Sequence, residues 1–186
     1  MRVISGEAKG RRLKTPADDS IRPTADKAKE SLFNIIGERV QGALVLDLFA
    51  GTGNLGIEAL SRGARKAFFV DVAKKAVATI RENLNLVHFA DRSLIWQADA
   101  FSALSRLRRM GRRFDLVFSD PPYGHQLAKR SLLSLAREQL VQKNGLVIVE
   151  HHRNDHLPRQ VATLLMMDER RFGDSVLTFY REKVEP

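Results

Sequence analysis

The sequence predicts an α/β fold in which helices cover both faces of a mostly parallel sheet. Between residues 43 and 149, short apolar runs alternate with segments of helical character. Strands that are apolar at nearly every position are typical of parallel sheets buried on both faces. Two later strand-like runs, 161–167 and 175–180, are joined by a short link, which predicts an antiparallel pair at one edge.

The elements of this fold can be placed in chain order. Parallel strands are predicted at 43–48, 67–70, 93–97, 114–119 and 145–149. The intervening helices are predicted at 55–61, 73–86, 101–110 and 127–140. With the final pair the sheet has seven strands. Its first strand should lie beside the fourth, at the point where the strand order reverses.

The first 22 residues are predicted to form a separate basic extension. Segments 3–5 and 12–14 flank a turn region at 6–10, a pattern typical of a short β-ribbon. A polar linker then leads to a helix, for which Thr24 is the expected N-cap. We therefore divide the chain into a basic β-ribbon extension, 1–22, and a main domain, 23–186.

The amino-acid composition of the chain excludes several classes of function. The 186 residues are 44% hydrophobic, and no apolar run approaches the roughly 20 residues that span a bilayer. The absence of cysteine excludes disulfides, thiolate metal sites and a cysteine nucleophile. The N-terminus lacks the apolar core of a signal peptide. We expect a cytoplasmic monomer with no membrane partner and no metal.

Positive charge points to a polyanionic partner. The formal net charge is +9, and no acidic residue occurs from 102 to 114. Two basic clusters stand out, although a single charge run is usually only a solvated face. They are Arg2, Lys9, Arg11, Arg12 and Lys14, and Arg106, Arg108, Arg109, Arg112 and Arg113. Together they favour nucleic acid as the partner.

A glycine-rich loop follows the first predicted strand. Gly51, Gly53 and Gly56 form a G-x-G-x-x-G sequence between a strand and a helix, and Asp71 ends the next strand. This arrangement matches the fingerprint in which the acid binds ribose hydroxyls. A nucleoside ligand is favoured over a tight turn that binds nothing.

The positions of Asp47 and Asp99 indicate which kind of nucleoside binds. Asp47, four residues before Gly51, would repel a pyrophosphate and attract a ligand that carries an ammonium group. S-adenosylmethionine (SAM) has such a group and a sulfonium. Asp99, after the third strand, can accept a hydrogen bond from the adenine amino group, or it can cap the following helix.

The fourth strand ends in Asp-Pro-Pro-Tyr, residues 120–123. Asp120 and the Pro121 carbonyl can accept the two N–H bonds of an exocyclic amino group, while Tyr123 stacks on the base. A proline turn with a core tyrosine is the alternative. Next to the glycine loop, these residues predict methyl transfer from a sulfonium to an amino nitrogen, with Asp120, Pro121 and Tyr123 as the catalytic residues.

Several stretches resemble the RsmD type of bacterial 16S rRNA guanine-N2 methyltransferases. Residues 46–53 (Leu-Asp-Leu-Phe-Ala-Gly-Thr-Gly) and 120–123 resemble motifs I and IV of amino-directed SAM methyltransferases. The resemblance covers nearly the whole chain and includes 2–6, 9–13, 22–24, 29–34 and 56–64. The sequence differs from the usual pattern of this family at Asp71, where glutamate is common, and at Tyr123, where phenylalanine is common.

The resemblance implies a Rossmann-like SAM-dependent methyltransferase fold, SAM as cofactor and 16S rRNA or a small-subunit assembly intermediate as partner. The implied cofactor residues are Asp47, Phe49, Ala50, Gly51, Thr52, Gly53, Asp71, Asp99, Ala100, Arg22 and Thr24. The implied RNA residues are Lys9, Arg11, Arg12, Lys14 and Arg22. Phe49 can instead serve only in packing.

Other functions stay open at this point. A tyrosine in the fourth-strand motif also suits adenine-N6 methyltransferases of DNA or RNA. A non-catalytic RNA-binding assembly factor and an NAD-dependent dehydrogenase are further alternatives, although Asp47 argues against the dehydrogenase. Glu150 either shapes the pocket or caps a strand, and His125 is expected to face solvent. A metal site at His151, His152 and His156 is not expected.

Overall fold

The computed structural model describes residues 1–15, 23–124 and 126–183, with side chains of the first helix from residue 27 onward. Within these ranges, eight strands form one sheet. They are β1 Leu44–Leu48, β2 Lys66–Asp71, β3 Ser93–Gln97, β4 Phe114–Ser119, β5 Val141–His152, β6 Gln160–Val161, β7 Leu164–Phe172 and β8 Ser175–Glu182. Their order is β3-β2-β1-β4-β5-β8-β7-β6.

In the part of the chain that the structure describes, five α-helices cover the sheet. They are α1 Pro23–Ile36, α2 Asn54–Ser61, α3 Lys74–Leu86, α4 Ala100–Arg109 and α5 Leu127–Arg137. One core contains buried residues of α1, α2 and α3, and a second, on the other face, contains those of α4 and α5. No helix in the described ranges is long and apolar enough to cross a membrane.

The predicted fold class is confirmed. Strands β1 to β5 pair in parallel, and β8 and β7 continue the sheet as an antiparallel pair. The two-residue strand β6 adds an eighth strand at that edge, because it pairs with the start of β7. Strand β5 is longer than expected, since its last residues pair with β8. Helix α1 begins at Pro23, so Thr24 lies inside it.

Strand register brings the carboxyl ends of four strands to one level. Leu48 in β1 pairs with Val70 in β2 and with Ser119 in β4. Ser119 in turn pairs with Val149 in β5. The strand order reverses between β1 and β4, as expected, and this is where ligands of open α/β sheets bind.

Residues 1–15, named here the N-terminal ribbon, form a hairpin with one isolated bridge, between Arg2 and Arg12. Val3, Ala8 and Leu13 are buried in the core that contains α1, α2 and α3. Gly6 lies so close to α2 that a Cβ would stand 1.8 Å from the Ser61 carbonyl oxygen. The ribbon therefore packs tightly against α2 and the core around it. The domain division at residue 22 stays a prediction.

Candidate active site

The glycine loop, residues 49–53, turns sharply from β1 into α2. Phe49, Gly51 and Gly53 all have positive φ, at 62°, 55° and 78°. Gly53 occupies the N-cap position of α2 and has no side chain to cap it. Asp47 supplies the missing acceptor, because the Gly56 N–H donates to its Oδ2 over 2.8 Å.

Close packing explains the last glycine of the motif. A Cβ at Gly56 would stand 2.3 Å from a ring carbon of Phe69 in β2. The helix can approach the sheet only because this side chain is missing. The short approach also brings the start of α2 within reach of Asp47.

The backbone N–H groups of the motif are used inside the protein. Gly51 donates to Asp71 Oδ2 over 2.8 Å, and Gly53 donates to the Ala50 carbonyl over 2.7 Å. The Gly56 N–H donates to Asp47. A pyrophosphate would need free N–H donors. In this loop the carboxylates of Asp71 and Asp47 already accept from the Gly51 and Gly56 N–H groups. This geometry disfavours NAD and suits a cationic nucleoside.

Four carboxylates, named here the acid cluster, lie near the carboxyl ends of β1, β2, β4 and β5. They are Asp47, Asp71, Asp120 and Glu150. Burial raises the pKa of Asp47 to about 7; the Gly56 hydrogen bond opposes this rise, and the charge of Asp71 adds to it. The carboxylate is 2% exposed, so it retains a proton far more readily than an ordinary aspartate.

Asp120 interacts with the same cluster. Its pKa is raised well above the ordinary value by burial first, and then by the charges of Glu150 and Asp47. By surface area the residue is exposed, although the surrounding protein reduces the solvation of its charged form. The protein is strongly basic overall, yet this crevice gathers negative charge. A ligand with positive charge would relieve the repulsion among these carboxylates.

The residues of this crevice fit SAM. Space in front of the loop is open, because a Cβ at Gly51 would meet no atom within 4 Å. The acid cluster offers acceptors for an ammonium and a favourable field for a sulfonium. Asp71 oxygens already accept from the Gly51 and Ala73 N–H groups, and each keeps a lone pair for a hydroxyl.

The four residues after β4 lie beside the glycine loop. The Asp120 N–H approaches the Leu48 carbonyl at 3.4 Å, and Pro121 is buried. The Tyr123 ring is 52% exposed, which rules out a core tyrosine. Its hydroxyl hydrogen-bonds with the Ser175 hydroxyl, and its ring meets His152 edge-on at 5.5 Å between centroids. The ring is thus held at one end and open to a ligand.

The other predicted cofactor residues occupy varied positions. Asp99 caps α4 by accepting from the Ser102 N–H over 2.9 Å, so the capping interpretation is correct, and its adenine contact stays a prediction. Phe49 packs on the core beneath α4 and α5. Ala50 and Ala100 are buried, and Thr52 is half-buried. Arg22, His125 and the Thr24 side chain lie outside the described residues.

Four of the five predicted RNA residues lie on the surface of the described ribbon. Lys9, Arg11 and Arg12 are exposed, and Lys14 is exposed with its Nζ 2.9 Å from Glu82 Oε2. Such an exposed pair is weak and exchanges readily for a phosphate. Their role in RNA contact stays a prediction.

The second basic cluster belongs to the end of α4 and the turn after it. Arg106 stacks over Trp96 at 4.5 Å, and Arg112 lies 6.0 Å from the Phe68 ring centroid. Positive charge in the last turn of a helix is also favourable by itself. Part of this cluster therefore has a structural reason to be basic.

Sequence reasoning missed three residues near the site. Ser175 and His152 hold Tyr123, and neither could be placed before the pairing of β5 with β8 was known. Asn83 is fully buried next to the glycine loop. Its signal was available, because a polar residue three positions after Ile80 interrupts the apolar face of α3.

The histidines expected after the fifth strand belong partly to it. His151 is buried in β5, and its Nε2 lies 2.8 Å from Thr178 Oγ1. In the parts of the chain that the structure describes, no group of three or more His, Asp or Glu side chains is arranged to hold a metal ion.

Comparison with known proteins adds independent support. Residues 1–181 match a family model described as conserved hypothetical protein 95. The chain is 41% identical over 183 residues to YlbH of Bacillus subtilis, covering 98% of this chain and 100% of that protein. It is 34% identical over 161 residues to ribosomal RNA small subunit methyltransferase D of Haemophilus influenzae, covering 84% and 81%. The solved structure of yhhF from Escherichia coli has a TM-score of 0.85 and 29% identity, over 100% of this chain and 99% of that one.

Fold, site and relatives together define a SAM-dependent methyltransferase. Within that class the chain belongs to the family described as conserved hypothetical protein 95, the RsmD family of rRNA methyltransferases. The resemblance found in the sequence, the enzyme class and the cofactor are therefore confirmed.

Proposed function

We propose that the protein methylates the exocyclic N2 amino group of a guanine in 16S rRNA, using SAM. The substrate is the small ribosomal subunit or an intermediate of its assembly, and the enzyme acts as a monomer in the cytoplasm. One observation carries the proposal: the acid cluster and the residues after β4 meet where the strand order reverses. A cation site and an amino-group site are thus adjacent.

Asp47 and Asp71 bind the cofactor in this proposal. Asp71 accepts hydrogen bonds from the ribose hydroxyls, and Asp47 provides the negative charge that an ammonium requires. When bound, SAM supplies an electrophilic methyl group. Its positive charge also opposes the repulsion that raises the pKa of Asp120, so a filled site leaves that carboxylate ionised.

Asp120 and Pro121 orient the acceptor amino group. The carboxylate and the Pro121 carbonyl each accept one N–H bond, which directs the nitrogen lone pair toward the methyl group. Positioning of this kind supplies on the order of 7–11 kcal/mol in well-oriented reactions.

Asp120 also receives the proton that the nitrogen loses on alkylation. An amino group becomes acidic only as it gains the methyl group, so no strong base is needed beforehand. The negative neighbours of Asp120, Glu150 and Asp47, favour the protonated carboxyl that results. Tyr123, fixed by Ser175, holds the base by stacking.

Transfer of labelled methyl from SAM to unmethylated small-subunit particles tests this function. Nucleoside analysis of the product should yield N2-methylguanosine. N6-methyladenosine would instead identify an adenine enzyme, and label in duplex DNA would exclude rRNA as the preferred substrate. Binding of SAM without any transfer to particles or to 16S rRNA would favour a non-catalytic assembly factor.

A further inference from the structure

Asn83 joins three parts of the molecule through one buried side chain. Its Nδ2 donates to the Thr52 carbonyl of the glycine loop over 2.9 Å and to the Lys14 carbonyl of the ribbon over 3.1 Å. Its Oδ1 accepts from the Lys14 N–H over 2.7 Å. The amide thus links α3, the glycine loop and the end of the ribbon. A fully buried amide that uses both donors tolerates little displacement of its partners.

Lys29 makes a second connection, from α1. Its Nζ donates to the Arg2 carbonyl over 2.6 Å and to Asn54 Oδ1 over 2.7 Å, and it lies 3.2 Å from Glu58 Oε2. The Glu58 carboxylate also accepts from the N–H groups of Ile4 and Ser5. The beginning of the ribbon is therefore fixed to the first turns of α2.

These two connections meet the chain on either side of Gly53. Asn83 contacts Thr52, just before this glycine, and Lys29 contacts Asn54, just after it. Both strands of the ribbon are thereby tied to the loop that faces the cofactor. A change in the loop cannot occur without straining the buried contacts of the ribbon.

We propose that Asn83 is a positioning residue that couples the order of the N-terminal ribbon to occupancy of the cofactor site. This inference rests on the proposed function, in which the ribbon docks RNA. A filled cofactor site holds the loop in one conformation, and Asn83 transmits that restraint to Lys14. Because such coupling is reciprocal, RNA on the ribbon strengthens cofactor binding by the same factor.

Hydrogen exchange of the unmodified protein tests the coupling directly. The probe is S-adenosylhomocysteine at saturating concentration, and the observed amides are Ile4, Ser5 and Lys14, which bond to Glu58 or Asn83. Their exchange should slow by at least about fivefold, the lower end of common coupling factors. The amide of Lys183, bonded to the Thr163 carbonyl at the far edge of the sheet, is the control and should not change.

Two results would overturn the inference in distinguishable ways. Suppose the ligand slows exchange of the Gly51 and Gly53 amides but leaves exchange of the three ribbon amides unchanged. This result would overturn the coupling and leave the proposed function intact. Failure of the protein to bind S-adenosylhomocysteine by calorimetry would overturn both.

A pair of variants separates positioning from general stability. Asn83→Ala should weaken S-adenosylhomocysteine binding at least about fivefold and abolish the ligand effect on Lys14 exchange. Asn85→Ala is the matched control, because Asn85 lies on the exposed face of the same helix. An Asn83→Ala protein that is less stable but shows the full ligand effect would refute a positioning role. If this variant does not fold, exchange in the unmodified protein decides the question.

Discussion

Cofactor affinity should depend on pH through Asp47. Its pKa of about 7 means that the carboxylate is mostly protonated in mild acid when the crevice is empty. A cationic ligand that needs the ionised form binds more tightly as the pH rises. The ionised fraction is about 3% at about pH 5.5 and about one half at about pH 7, so SAM affinity should increase about 15-fold.

Calorimetry across this range, in two buffers of different ionisation enthalpy, provides the assay. Binding of SAM near pH 6.5 should release protons, because the ligand lowers the pKa of Asp47. Asp47→Asn keeps an oxygen for the Gly56 N–H and should remove most of the pH dependence. Asp91→Asn, at an exposed carboxylate outside the acid cluster, is the control and should keep it. Equal pH profiles for the unmodified protein and Asp47→Asn would refute this role.

The same shift has a consequence for folding. The pKa of Asp47 is higher in the folded chain than in the unfolded one, so the folded state binds more protons between about pH 4 and pH 7. The free energy of unfolding should therefore fall by up to about 4 kcal/mol as the pH rises through that window. Thermal unfolding of the ligand-free protein should show this loss, and Asp47→Asn should reduce it to the part that Asp120 contributes.

Substitutions at four further places test other parts of the molecule. Asp120→Ala should lower turnover by at least about 10²-fold with nearly unchanged SAM affinity; near-normal turnover in a folded variant would disprove its role. Tyr123→Ala should impair turnover and Tyr123→Phe only mildly, as steady-state kinetics would show. Neutralising Arg11 and Arg12 should weaken RNA binding and reduce the log–log salt slope by about 0.7–0.9 per lost phosphate contact, and a larger effect from the arginines of α4 would place the RNA on the other face. Gly56→Ala should cost about 1–3 kcal/mol of stability because its Cβ meets the Phe69 ring; an unchanged melting temperature would contradict that packing.

The sheet could be predicted from the sequence because its signal is local. Each parallel strand is a continuous apolar run, and the rule for doubly wound sheets places β4 beside β1. Asp47, Asp71 and Asp120 could be brought together for the same reason, since each comes at or next to a strand end. The strand register then places the three residues at about the same height along the sheet. This placement can be predicted without knowing any side-chain contact.

The partners of these residues could not be predicted, because they depend on distant contacts. Asp47 was expected to face a ligand, and the structure shows that it also caps α2. Tyr123 was predicted as a site residue from its position after β4, but its hydroxyl partner lies 52 residues away in β8. The bonds of Asn83 span 69 residues to Lys14. No local pattern specifies which buried polar groups meet.

The way the ribbon is attached bears on how the family can diversify. Its attachments run largely through main-chain atoms: the N–H groups of Ile4, Ser5 and Ala8, and both polar groups of Lys14. Every residue type except proline carries these atoms, so the outward side chains can be exchanged while the anchoring is preserved. In the proposed RNA-docking role, the exposed side chains can therefore change, and with them the RNA surface that the ribbon fits, while these attachments are kept.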